Sequence, residues 1–142
     1  MERWMGLDIG ERRIGVAVSD WLGLTAQGVE VYRRRRGLKE DLAYLTERFR
    51  QLEATGLLIG FPRNMNGTVG PQADSVREFG RRLGERCGVE PVYWDERLTT
   101  VQACQVLIEA DLSRKKRRGV IDQVSAVFIL QSFLDAQNAK RG

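Results

Sequence analysis

The chain has 142 residues, of which 42% are hydrophobic and 30% charged, and its formal net charge is +4. A chain of this length is expected to form one domain, residues 1–142, around one buried core. Histidine is absent, which excludes nucleophiles activated by histidine and zinc sites built on histidine, and leaves carboxylates, with Mg²⁺ or Mn²⁺ as the expected ions.

The first third of the chain predicts three strands. An apolar run from Trp4 to Ile9 is followed by the alternating residues Ile14, Val16 and Val18, and a second alternating stretch extends from Gln27 to Arg33. A period of two is typical of half-buried strands. The short polar or glycine-containing connections favour an antiparallel meander.

The middle of the chain alternates between helices and strands. Apolar residues at steps of three and four predict a helix from Leu38 to Leu52. Gly56 to Gly60 then reads as a short buried strand, and Pro71 as the first residue of a helix that continues to Cys87. Val89 to Trp94 predicts the last strand.

The C-terminal part predicts two helices separated by a loop. A capping pattern at Thr99 starts a helix that extends to about Leu112. The basic run at 113–119 has no apolar periodicity and is expected to be a mobile loop, followed by a last helix from about Val120 to Asn138. The complete order predicts an α/β fold, a five-stranded mixed sheet made of a three-stranded antiparallel meander plus two parallel strands, flanked by helices.

The basic residues are clustered along the chain. Such runs suit a phosphate backbone, because each neutralised phosphate releases counterions. The alternative is a solvated, arginine-rich surface without a partner. The clusters are Arg12-Arg13, Arg33 to Arg36, Arg81-Arg82 and the run of Arg114, Lys115, Lys116, Arg117 and Arg118.

Three acids occupy comparable places in the predicted fold. Asp8 lies in the apolar first strand, Glu96 follows the last strand with Asp95 beside it, and Asp122 lies in the first turn of the last helix. Sites in open α/β sheets form beside the carboxyl ends of strands, so a helix packed across that end would bring these acids together. Clustered carboxylates repel one another, and one or two divalent cations would remove that cost and assist phosphoryl displacement.

Each acid also has a structural interpretation. Asp95, Glu96 and Asp122 could be helix N-terminal charges favoured by the helix dipole, and Asp8 could be a turn former. The combination of the three favours a metal site, and Asp8 in its apolar surroundings is the hardest to explain otherwise.

At this point the sequence resembles the YqgF/RuvX family, bacterial ribonuclease-H-like proteins related to the RuvC resolvase. The resemblance covers essentially the whole chain, with the motifs in the same order. The segments that carry it are Gly6 to Ala17, Ile59 to Pro62 with Asn66-Gly67, Asp95 to Thr100, and Asp122 to Leu130.

The resemblance implies a ribonuclease-H-like fold and a metal-dependent nuclease. Asp8 matches the catalytic Asp of the first strand, Glu96 the acid of the D-E-R-L-T-T segment and Asp122 the acid of the final helix, while Asp95 is the alternative metal ligand beside Glu96. RuvC-like resolvases have a further acid one turn along that helix, and this chain has Ser125 there.

Family members are described both as candidate resolvases of four-way DNA junctions and as nucleases that mature the 5′ end of pre-16S ribosomal RNA. The RNA role is favoured, because nothing in the chain indicates the symmetric dimer that a junction resolvase needs. A monomer and a homodimer both remain open, as does cleavage of structured DNA.

Several polar and basic residues are candidates for contacts to nucleic acid. Arg97 could contact the scissile phosphate or pair with Asp95 on the surface. Asn66 and Thr68 precede a helix N-terminus, which can bind anions, but could also belong to an ordinary loop. The run Arg114 to Arg118 could grip the backbone or be a solvated loop.

Two other classes of protein compete with a nuclease. A kinase-like or Hsp70-like phosphate transferase needs two copies of this fold and a longer chain. A non-catalytic nucleic-acid-binding module would gain nothing from the three acids. No apolar run approaches the roughly 18–20 residues of a membrane span and no signal peptide is recognisable, so we predict a cytoplasmic protein without membrane contacts.

Overall fold

The computed structural model describes residues 2–35, 37–61, 70–95 and 114–141, with the side chains of the last helix described from 124 to 140. The elements are β1 (Trp4–Ile9), β2 (Arg13–Ser19), β3 (Ala26–Arg33), α1 (Leu38–Gln51), β4 (Gly56–Phe61), α2 (Pro71–Cys87), β5 (Val92–Asp95) and α3 (Arg114–Arg141).

The five strands form one mixed sheet in the order β3-β2-β1-β4-β5. The first three pair antiparallel, whereas β1 pairs parallel with β4 and β4 with β5. This confirms the predicted meander with two parallel strands. We call the end of the sheet where β1, β4 and β5 finish its carboxyl end; β2 begins there and β3 finishes there.

One face of the sheet packs against α1 and α2. Every second residue of β1 is buried on this side, because side chains of a strand alternate between the two faces. The apolar stripes predicted for both helices supply the rest of this layer. Its principal members are Met5, Leu7, Ile9, Ile59, Leu42, Leu45, Phe49, Val76, Phe79 and Leu83.

Among the described residues, the other face packs against α3. This second core is smaller and more aromatic, and it joins β1, β2 and β4 to the C-terminal helix. It is formed by Trp4, Ala17, Leu58, Ala126, Ile129, Leu130, Phe133 and Leu134. Within the described part of the chain, α3 therefore covers the face of the sheet opposite α1 and α2.

Two predicted boundaries were wrong. The backbone from Arg114 onward is helical, so the basic run belongs to α3 and is not a loop. Lys and Arg have good intrinsic helix propensity, and a helix anchored downstream can extend through them without an apolar stripe.

The second wrong boundary is the start of the last strand, because Val89 is not in a strand. Its N–H donates to the Gly84 carbonyl at 3.0 Å, closing α2 after Gly88, which has φ 74°. The helix predicted from Thr99 to Leu112 lies outside the described residues.

Within the described part of the chain, no helix is both long enough and apolar enough to span a membrane.

Candidate active site

Asp8 lies on the face of the sheet that packs against α3. The ring centroids of Trp4 and Phe133 are 4.8 Å apart, and a Cβ placed on Gly6 would lie 3.0 Å from the Leu130 Cβ. Because alternate residues of a strand share a face, Asp8 follows Trp4 and Gly6 on the α3 side. Its side chain is half-buried at the carboxyl end of β1.

Glycines stand beside Asp8 on both neighbouring strands. Gly15 of β2 is its antiparallel partner. On β4, Ile59 is in register with Leu7, so Gly60 is level with Asp8. The residues directly opposite Asp8 on both neighbouring strands are therefore glycines.

The helix α3 runs so that its N-terminal half points toward the carboxyl end of the sheet. Phe133 contacts Trp4 and Leu130 is next to Gly6, so earlier helix residues match later residues of β1. Ala126 precedes Leu130 by about 6 Å along the helix axis. Gly6 and Asp8 are separated by a similar distance, roughly 6.6 Å, along β1. Asp122 stands one further turn back in the same helix.

Asp95 lies on the opposite face of the sheet from Asp8. Trp94 belongs to the α3 side, where its Nε1–H donates to Ser132 Oγ at 3.2 Å. Tyr93 belongs to the α2 side, where its hydroxyl donates to the Arg77 carbonyl at 2.9 Å. Strand alternation therefore places Asp95 on the α2 side.

The close approach of α3 to β1 depends on Gly6. We predict that Gly6→Val lowers the free energy of unfolding by about 1–3 kcal/mol, the usual cost of overpacking, although valine favours strands. Urea unfolding checks this, with Gly37→Ala as the control, because a Cβ there would meet nothing closer than Glu40 Cγ at 3.9 Å. Equal midpoints for Gly6→Val and wild type would contradict this account of the packing.

A buried carboxylate on α1 supports the turn that follows Asp8. Asp41 is only 1% exposed and accepts hydrogen bonds from the Tyr32 hydroxyl at 2.8 Å, Arg34 Nε at 3.0 Å and the Arg35 N–H at 3.0 Å. Arg34 also donates through NH1 to the Gly10 carbonyl at 2.9 Å. The chain of contacts therefore connects α1 to the β1–β2 turn.

Hydrogen bonding outweighs burial in setting the charge of Asp41. Burial by itself would raise the pKa of this carboxyl, but the Arg35 N–H, the Tyr32 hydroxyl and the Arg34 guanidinium together hold the pKa below its ordinary value. Burial and the bond to Asp41 raise the pKa of Tyr32 to about 12. Asp41 is therefore a carboxylate and Tyr32 a neutral donor at neutral pH.

The sequence analysis did not single out Asp41, and it included Arg34 only in the basic cluster from Arg33 to Arg36. A signal for Asp41 was present: it stands three residues after Leu38 and four before Leu45, on the apolar face of the predicted helix. A carboxylate at such a position needs a partner. Only the folded structure shows that this partner is Arg34.

The remaining candidates lie outside what the structure describes. Glu96, Arg97, Asn66 and Thr68 are outside the described residues, as are the side chains of Asp122 and of 114–118. Among the side chains that are described, no three acids, cysteines or histidines form a metal-binding group. The structure thus brings Asp8 and the backbone of Asp122 to one face, and separates Asp95 from them.

The five-stranded mixed sheet and its helices define the class of fold, that of the ribonuclease-H-like proteins. The solved structure titled "T. thermophilus RuvC in complex with Holliday junction substrate" matches 98% of this chain and 97% of its own with a TM-score of 0.64. A second RuvC structure from Thermus thermophilus matches with a TM-score of 0.61. At 13% and 11% identity, these likenesses establish the fold.

The chain belongs to the RuvX family, described as Holliday junction resolvase, whose profile matches residues 2–136. A protein of Moorella thermoacetica named "Putative pre-16S rRNA nuclease" is 56% identical over 133 residues, 94% of each chain. A protein of Halothermothrix orenii with the same name is 50% identical over 140 residues, 99% of each chain. These relatives confirm the predicted nuclease.

Proposed function

We propose that this nuclease hydrolyses phosphodiester bonds of RNA with Asp8, Glu96 and Asp122, and that it acts in the cytoplasm on the 5′ leader of pre-16S ribosomal RNA. The observation that carries the site is the shared face: Asp8 is on the α3 side of β1, and Asp122 is in the helix that covers this side.

The donors at this site fit Mg²⁺ or Mn²⁺. Carboxylate oxygens are the ligands that these hard cations prefer, and the chain has no histidine to favour a softer ion. Asp8, Glu96 and Asp122 would hold the ion, which would activate water and stabilise the leaving oxygen when bound. Asp95 is the weaker candidate for a ligand, because it is on the α2 side of the sheet, away from Asp8.

The chain itself contributes position and access. Pairing in the middle of the sheet orients Asp8, and the residues level with it on both neighbouring strands are the glycines Gly15 and Gly60. The α3 helix covers the face behind Asp8, where Ala126 is fully buried. A substrate is therefore expected to approach from the carboxyl end of the sheet.

The names of the relatives support RNA as the substrate. Proteins that match over nearly their whole length are named for pre-16S ribosomal RNA. The family description favours a second candidate, a four-way DNA junction. A junction resolvase must cut two strands together and so requires a symmetric dimer, whereas one cut in an RNA leader requires only one site.

Cleavage of three labelled nucleic acids would test the proposal. With Mn²⁺ or Mg²⁺, we expect cutting of a pre-16S 5′-leader RNA near the mature end, slower or no cutting of an unrelated single strand, and no paired cuts in a four-way DNA junction. Paired symmetric nicks in the junction, with a dimer in solution, would replace RNA maturation by junction resolution. Cutting that persists without a divalent ion would overturn the metal site.

A further inference from the structure

Five arginines and one glutamate line a concavity of about 300 Å³ at the carboxyl end of the sheet. We call it the arginine basin. Its residues come from the β1–β2 turn, the first residue of β2, the last residue of β3 and the segment that follows β3. They are Glu11, Arg12, Arg13, Arg33, Arg34 and Arg35.

The basin brings like charges close together. Arg13 and Arg33 are directly opposite each other on paired antiparallel strands, an arrangement that is destabilising for like charges. Five arginines line the basin, and Glu11 and the Asp41 carboxylate beside Arg34 offset two of these charges, which leaves a local excess of three. A concentration of like charge in one concavity points to function.

Only part of the basin serves the fold. The guanidinium of Arg34 is neutralised by Asp41 at 3.0 Å, and it holds the Gly10 carbonyl. Arg12, Arg33 and Arg35 are exposed, and no ion pair among the described residues involves any of them. Three guanidinium groups therefore remain available to an anion from outside.

The basin is a short distance from Asp8. Strands in a sheet are about 4.8 Å apart, so the end of β3 is about 10 Å from the end of β1. A nucleic-acid strand in a duplex advances about 3.4 Å per nucleotide, so this distance corresponds to about three nucleotides. Arg34 fixes the basin to the turn that follows Asp8, since it holds the Gly10 carbonyl.

We propose that the arginine basin binds the phosphodiester backbone of the substrate strand a few nucleotides from the bond cut at Asp8. The placement of the cut rests on the proposed function, whereas the binding of phosphates does not. Guanidinium groups bind phosphate oxygens with paired hydrogen bonds. Such contacts position a strand without reading its sequence.

Two triple variants of equal charge test the basin. Arg12→Gln, Arg33→Gln and Arg35→Gln together form the basin variant. Arg50→Gln, Arg82→Gln and Arg86→Gln remove the same charge from exposed positions in the C-terminal halves of α1 and α2, which lead away from the carboxyl end of the sheet. Both are made with Asp8→Asn, so that binding is measured without cleavage, and circular dichroism confirms that both are folded.

The probe is a short fluorescent single-stranded RNA, titrated over a range of salt concentrations. We expect the basin variant to bind the RNA about 10–100-fold more weakly than the protein without the triple substitution. The slope of log affinity against log salt concentration should be shallower by about 2, because each phosphate that is no longer neutralised removes about 0.7 from the slope. The control triple should change both quantities much less. A peptide nucleic acid of the same sequence, which has no phosphates, should show no difference between the variants.

Different results would overturn the proposal about the basin and the proposed function. Equal loss of RNA affinity in both triples would overturn the basin, because only total charge would then matter. If the protein with Asp8 intact cuts no RNA but the basin triple alone loses binding, the proposed function fails and the basin stands. If the protein with Asp8 intact cuts the leader RNA but the basin variant binds RNA as well as before, only the proposal about the basin is overturned.

Discussion

Replacing Asp8 by asparagine should reduce phosphodiester cleavage by about a thousand-fold or more while the protein stays folded. A bound divalent ion is worth several kcal/mol of transition-state stabilisation, and each 1.36 kcal/mol is a factor of ten in rate. The asparagine has nearly the same shape but loses the charge that an ion requires. Cleavage rates at saturating Mn²⁺ measure the effect.

Binding measurements separate a lost ion from a lost substrate. Mn²⁺ titration by calorimetry should show weaker binding to Asp8→Asn than to wild type, whereas RNA should bind equally well or more tightly, because one negative charge is removed. Thermal unfolding without metal checks that Asp8→Asn stays folded.

Asp95→Asn is the matched control for Asp8. The same chemical change at the end of β5, on the α2 side of the sheet, should alter the cleavage rate less than tenfold. Glu96→Gln should instead approach the effect of Asp8→Asn. If Asp95→Asn is inactive and Glu96→Gln is active, the assignment of the ligand on this strand is wrong. If Asp8→Asn cleaves normally, Asp8 is not a metal ligand.

Asp41→Ala should lower the free energy of unfolding by about 2–4 kcal/mol at neutral pH. Removing one partner of a buried ion pair leaves the other charge without compensation and costs roughly 3–5 kcal/mol. The expected loss is somewhat smaller, because the Arg34 side chain is 21% exposed. The Tyr32 hydroxyl and the Arg35 N–H also lose their acceptor. Urea unfolding measures the difference.

The effect of Asp41 should depend on pH in a defined direction. Its folded pKa is below its ordinary value, so the carboxylate stabilises the fold fully at pH values well above the unfolded pKa of about 3.9. This stabilisation is lost as the pH falls through the folded pKa. The difference between wild type and Asp41→Ala should therefore be largest near pH 7 and shrink below pH 4.

Glu47→Ala is a control on the same helix. Glu47 pairs with Arg50 at 3.4 Å, but the two side chains are 57% and 75% exposed, and such surface pairs contribute about 0–1 kcal/mol. We expect a change of less than about 0.5 kcal/mol. A loss at Asp41 as small as the loss at Glu47, or one that is unchanged at pH 3, would contradict the role assigned to Asp41.

Much of the fold could be predicted from periodicity alone. The alternation in β1, β2 and β3 and the stripe from Leu38 to Leu52 reflect which side of each element is buried, and burial is the dominant contribution to folding. Pro71 marked the first residue of α2 correctly because its fixed φ suits a helix start. The basic run could not be assigned in this way, because a helical segment without an apolar stripe carries no periodic signal.

The sequence alone determined the chemistry that is available: no histidine, an acid in an apolar strand, and arginines in clusters. Tertiary structure decided which of these groups meet. Strand alternation puts Asp8 and Asp95 on opposite faces, although both lie at the carboxyl ends of parallel strands. The pairing of Arg13 with Arg33 and of Arg34 with Asp41 joins residues from different elements. Such contacts follow from sheet register and helix packing, which depend on the whole chain and leave no local pattern.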